Sequence, residues 1–104
     1  MSVRVVALIR AKKGKEKPLE DILKVMVKTT HTEAGCQLYA LHKSESAPGT
    51  FVFVEKWATP QELEAHLSAP HIGAAMARKD ELIESIEIMP LVPLPAGKTT
   101  METF

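Results

Sequence analysis

An excess of charge of either sign is missing from this 104-residue chain, in which 13 Lys and Arg balance 13 Asp and Glu. The balance excludes the basic footprint by which nucleic acids are held. It also leaves little self-repulsion to oppose association with another copy. Cysteine is nearly absent: Cys36 stands alone, so no intrachain disulfide can form. No apolar run is long enough to span a membrane, and the N-terminus carries no apolar targeting core. The expectation is a cytoplasmic protein with neither a membrane nor a nucleic-acid partner. Glycine-rich phosphate loops, a GxSxG elbow and paired cysteines are lacking too, so flavin and nicotinamide have no visible cradle and no cofactor is expected. His66 and His71 are separated by five positions with Pro70 between them, which misses the i, i+4 spacing that sets metal ligands side by side on a helix. No metal site is expected.

What is present is organised around Phe51 to His71. Alternation along the strand that opens this stretch puts Phe51, Phe53, Glu55 and Trp57 on one face and Val52, Val54 and Lys56 on the other. Thr59 then reads as a helix N-cap with Pro60 at the first helical position, so a buried strand runs straight into a helix. One face of that helix carries Leu63, His66 and Leu67, and His71 follows Pro70 just past a break. Glu55, Trp57, His66 and His71 are therefore candidates for one pocket. A carboxylate on an apolar and aromatic face is costly unless paired, which gives Glu55 either a histidine partner, a catalytic task, or an ion pair with Arg4 or Arg10. His66 reads equally well as a core histidine, His71 as a cap of the next helix, and Trp57 as a wall.

Val3 to Ala11 is a β-branched run, apolar on both sides, as expected of a central strand covered on both faces. After Gly14, Pro18 opens a helix whose Leu19, Ile22, Leu23 and Met26 recur at helical spacing. Glu33-Ala34-Gly35 supplies its stop. Cys36 to Lys43 reads as a second strand with Cys36, Leu38, Ala40 and His42 on one face and Tyr39 and Leu41 on the other. The loop containing Pro48-Gly49 returns the chain antiparallel. Pairing of Glu45 with Thr50 would bring His42 opposite Phe53 and Ala40 opposite Glu55, so His42 joins the candidate site; a one-residue slip would remove it. A second helical segment is predicted over Ile72 to Leu82, and a last strand over Glu84 to Leu91. Residues 1–95 form one domain and 96–104 a polar tail.

The order β-α-β-β-α-β is the ferredoxin-like α+β arrangement, an antiparallel sheet with helices on one face. The bare second face must then meet something apolar.

The apolar strand ending in Glu-Lys-Trp, the capped helix with its Leu-Glu-Ala-His core, and the Ser-Ala-Pro-His that follows resemble the antibiotic biosynthesis monooxygenase (ABM) domain family. Gly35-Cys36, Tyr39 and the closing segment from Leu82 to Met89 extend the resemblance over most of the chain. It implies a homodimeric α+β barrel and cofactor-free monooxygenation of a small aromatic quinol or phenol by dioxygen. Such chemistry needs a base with a near-neutral pKa, a dry cavity and a donor for an oxyanion. His66, His71 or His42 would be the base and Glu55 would hold its tautomer. Phe51, Phe53, Trp57 and Tyr39 would line the pocket. Haem-degrading members use an asparagine, and this chain has none, which disfavours that activity. An isomerase or other proton-transfer enzyme, and a non-catalytic small-molecule-binding dimer, remain the alternatives.

Overall fold

The computed structural model describes residues 2–104. Strand β1 (Val3–Ala11) buries Val5, Ala7 and Ile9 and turns Arg4, Val6, Leu8 and Arg10 to the other side. Helix α1 (Glu16–Thr30) follows a turn in which Gly14 has φ +83°, and it buries Leu19, Leu23, Met26 and Thr30. These four lie one above another on the helix, the stripe that packs on a sheet. Strands β2 (Cys36–Lys43) and β3 (Thr50–Trp57) form a hairpin. The chain continues through α2 (Pro60–Leu67), α3 (Pro70–Met76), α4 (Lys79–Leu82) and β4 (Ile83–Leu91). The sheet order is β2-β3-β1-β4 with every neighbouring pair antiparallel, which is the ferredoxin-like α+β topology.

Register along β1 and β3 places Val3 opposite Trp57, Val5 opposite Glu55 and Ala7 opposite Phe53. The helix-covered face is thus continuous across the two central strands, and Leu19, Leu23, Ile72 and Leu82 close over it. Arg4 and Arg10 face away, opposite Lys56 and Thr50. Neither can reach Glu55, so the expected ion pair with an arginine does not form.

The hairpin register differs from the expected one by a single residue. Tyr39 pairs with Glu55, Leu41 with Phe53 and His42 with Val52. The loop decides this: Ser44 N donates to Thr50 O at 2.8 Å and Ala47 N donates to Ser44 Oγ at 3.0 Å, so the hairpin closes at Ser44 rather than Glu45. A slip of one residue exchanges the faces of a strand. His42 consequently points away from the helices and is exposed, while Tyr39 moves onto the Glu55 face and is buried. A bulge between Cys36 and Leu38 then returns Cys36 to a position opposite Trp57.

The helix predicted over Ile72 to Leu82 is two short helices. Arg78 N bonds Ala75 O in a tightened last turn of α3, and α4 restarts at Lys79 to deliver Leu82 to the core. On β4, Ile86 and Ile88 lie opposite Ile9 and Ala7 on the helix side, yet the helices leave them 37% and 49% exposed. Pro90 is tolerated because β4 is an edge strand. Beyond it the tail is not wholly detached: Arg4 Nε donates to Phe104 O at 2.9 Å.

Two contacts fix the junction between β3 and α2. Thr59 caps α2, its Oγ1 accepting from Glu62 N at 3.2 Å, and Gly35 O accepts from Ala58 N at 2.9 Å. Gly35 is buried against Glu62 so closely that a Cβ there would lie 2.4 Å from the Glu62 Cβ. Only glycine lets the loop after α1 lie flat on the start of α2. Gly35→Ala is expected to destabilise the fold by about 1–3 kcal/mol, the range for overpacking, as read by urea unfolding. An unchanged midpoint would show that the loop yields freely.

Candidate active site

The centre of the helix-covered face is a ring of aromatic and titratable groups. Trp57 Nε1 donates to Glu55 Oε1 at 3.0 Å, both side chains being buried. His66, on α2, lies over the indole with ring centroids 4.4 Å apart, and the Tyr39 ring meets the imidazole edge at 5.2 Å. His66 Nδ1 donates to Glu33 Oε2 at 2.7 Å. The same carboxylate oxygen lies 3.4 Å from His71 Nε2, which is also 2.9 Å from Thr30 Oγ1. A chain of polar atoms therefore runs from Thr30 through His71 and Glu33 to His66.

Glu33 is held by its neighbours in the loop. His31 Nε2 donates to the Tyr39 carbonyl at 2.9 Å on one side of it, and Gly35 is pinned to α2 on the other. The contact with His66 spans 33 positions of sequence. Nothing in the sequence pattern announces it, because Glu33 reads locally as part of a helix stop.

Burial sets the electrostatics. It pushes the His66 pKa below the ordinary value, with the Glu33 bond opposing and the nearby His71 assisting. Burial likewise raises Glu55, against the Trp57 bond, and raises Tyr39, where the Glu55 charge adds to the effect. Cys36 is also raised by burial, then by Glu33 and Glu55. His66 thus favours its neutral form, and with Nδ1 occupied by Glu33 the lone pair resides on Nε2. Glu55 is inclined to keep its proton and has no ionic partner among the described residues.

An apolar cavity of about 190 Å³ lies between this ring and the helices, lined by Tyr39, Phe53, Glu55 and His66 together with aliphatic side chains. Leu67, Ile86 and Ile88 line it and are also exposed, so they form its mouth. A cavity of roughly 150 Å³ admits benzene, and this one is the size of a single substituted aromatic ring.

A family model described as antibiotic biosynthesis monooxygenase matches residues 2–78. The chain belongs to that family. It is 33% identical, over 92 residues covering 77% of this chain and 88% of the relative, to the Escherichia coli protein named "Probable quinol monooxygenase YgiN". Among solved structures it is similar to PA3566 from Pseudomonas aeruginosa, with TM-score 0.86 and 28% identity over 90% of this chain and 95% of that one. Rv0793 from Mycobacterium tuberculosis follows at TM-score 0.83 and 26% identity, over 94% and 100% of the two chains.

Within this member of the family the expected site residues separate. His66, Glu55, Phe53 and Tyr39 meet at the cavity. Trp57 lies behind it, bonded to Glu55 and stacked on His66. His71 does not border the cavity; it lies beyond Glu33 in an outer groove with Asp21, Met26 and Arg78. Phe51 and His42 sit together at a separate surface groove, His42 for the register reason above and Phe51 because it is further along the strand. Glu55 does not hold a histidine tautomer: Glu33 does, and the indole is the bond that Glu55 makes.

Glu33, His66 and His71 each offer one atom within 4.8 Å of the others. Two ligands 2.0–2.1 Å from one tetrahedral ion stand about 3.3 Å apart. The 2.7 Å from Glu33 to His66 is shorter, the separation of a charge-assisted hydrogen bond, while His71 stands at an ion-pair distance of 3.4 Å from the same oxygen.

The raised pKa of Glu55 has a stability consequence of definite sign. Folded Glu55 keeps its proton to higher pH than the unfolded carboxyl, so its burial carries no penalty below about pH 4.5 and a growing one as pH rises through the elevated value. Glu55→Gln keeps an acceptor for the Trp57 indole. It is expected to raise the melting temperature by an increment that grows as pH rises above about 4.5 towards the elevated Glu55 value; an increment independent of pH would contradict this account.

Proposed function

We propose that the protein is a cofactor-independent monooxygenase that oxidises a small, single-ring quinol or phenol with dioxygen, using His66 as the base. The observation that carries this reading is a buried, neutral-favouring imidazole on the wall of an apolar cavity, with Nδ1 tied to a carboxylate and Nε2 left for substrate. The relative named as a quinol monooxygenase supports the substrate class.

The residues serve the chemistry as follows. His66 Nε2 takes a proton from the ring hydroxyl, and the resulting anion passes one electron to dioxygen. Recombination at a ring carbon gives a hydroperoxide, which loses water to leave a carbonyl. Glu33 steadies the imidazolium formed in the first step. Glu55, protonated and fixed by Trp57 through one oxygen, offers its other oxygen to the substrate as a hydrogen-bond donor. The aliphatic walls exclude water that would solvate the anion and slow its oxidation.

Purified protein free of metal and flavin should accelerate oxygen uptake by a catechol or benzoquinol. Because the His66 pKa is held down, the neutral base is the major form at neutral pH; activity should rise as pH climbs through a window below about 6.5 and be level above it. His66→Ala should lower the rate by about 10²-fold or more, whereas His42→Ala should leave it unchanged. Deuterium exchange into substrate without oxygen uptake would instead indicate an isomerase.

The same reading includes a homodimer joined through the outer sheet face. Val6, Leu8, Val52 and Val54 lie there half-buried with no helix over them, and a second copy of this face would cover them. Light scattering should give twice the chain mass, and Val54→Asp should halve it. A wild-type monomer at micromolar concentration would refute the dimer.

A further inference from the structure

His66 is 3% exposed and sits between an apolar cavity and Glu33, so its Nδ1 proton reaches water through a neighbouring group and not directly. A base so enclosed must still lose its proton before each cycle and be kept from handing it straight back to the substrate anion. The polar atoms that continue from it are those of Glu33, whose side chain is 21% exposed, and beyond Glu33 those of His71. Nδ1 is 2.7 Å from Glu33 Oε2, that oxygen is 3.4 Å from His71 Nε2, and the His71 side chain is 18% exposed in the outer groove between α1 and α3.

We propose that Glu33 and His71 form a proton wire between the cavity base His66 and solvent. In the outward direction the substrate O–H breaks and Nε2–H forms on His66 while Nδ1–H passes to Glu33 Oε2. The proton moves on to His71 Nε2 and the Nδ1–H of His71 leaves to water. Four proton transfers occur, no electrons move, and His66 and His71 each end neutral with the tautomer exchanged. The reverse passage restores the tautomer and supplies the proton that the peroxide needs, so the wire carries no net proton per turnover.

Each part of the chain has a feature suited to this. Thr30, fully buried at the end of α1, holds His71 Nε2 at 2.9 Å and can donate to it or accept from it as the ring changes protonation. The shared oxygen of Glu33 makes the two imidazoles alternate partners of one proton. Glu55 and Tyr39 face His66 from the sheet, but burial favours the protonated form of each, and neither leads to the surface. Asp21 and Arg78 line the groove where His71 emerges. Glu33 and His71 are thus positioning and relay residues, with no contact to the substrate cavity.

The wire is testable without any substrate. In ¹⁵N-labelled protein, exchange of the His66 ring N–H with water should slow about tenfold or more in His71→Gln, and likewise in Glu33→Gln. An exchange rate unchanged in His71→Gln would overturn the proposal. Should that variant fail to fold, His71→Asn carries the same measurement. A second arm rests on the oxidase reading: His71→Ala should oxidise quinol more slowly, and added imidazole should restore the rate saturably while the isosteric but weakly basic pyrazole does not. Rescue by both compounds would assign His71 a space-filling role and overturn the wire. Absence of oxygen uptake in the wild-type protein would refute the oxidase reading alone, and the exchange measurement would still decide the wire.

Discussion

The contact between His66 and Glu33 is the constraint on which the site depends. At 2.7 Å it joins α2 to the loop that precedes β2, two parts of the chain that share no backbone hydrogen-bond ladder. It fixes the face that His66 shows to the cavity, the tautomer it adopts, and the position of a negative charge beneath it. Gly35 makes the contact sterically feasible by letting the loop lie against Glu62. Thr59 makes it directional by starting α2 at a defined residue, so that His66 projects inward rather than to either side.

The two carboxylates of the site have opposite surroundings. Glu33 is partly exposed and faces two histidines. Glu55 is buried among aromatic side chains and is met by an indole N–H, so the protonated form is favoured there. The apolar cavity is bordered by Glu55 and His66 together.

The sheet is asymmetric in a way that joins fold to site. Its helix side buries Val5, Ala7, Phe53 and Trp57, while its outer side carries half-buried valines. The helices stop short of the edge strand β4, and the gap they leave at Ile86 and Ile88 becomes the mouth of the cavity. Membership of the antibiotic biosynthesis monooxygenase family accounts for this scaffold. On it the chain sets Glu33, Glu55, His66 and His71 close together, in a sequence that contains no asparagine.

Local pattern alone determined the elements of this protein. A β-branched run marked β1, alternation marked β3, helical spacing marked α1, and Thr59-Pro60 marked the start of α2, because each of these signals acts within a few residues of backbone. The order of those elements then implied the topology, and the aromatic face of β3 pointed to the cavity wall. What the pattern did not decide was anything that depends on where two distant segments meet. The hairpin register turned on whether the loop closed at Ser44 or Glu45, a choice between nearly equivalent turns that inverted the faces of His42 and Tyr39. The partner of His66 was decided by packing across 33 residues, and Glu33 carries no local mark of it. Glu55 found an indole instead of a cation because β-sheet pairing sent Arg4 and Arg10 to the opposite face. Side-chain periodicity is a property of the chain, whereas hydrogen-bond partnership across elements exists only once the tertiary structure has closed.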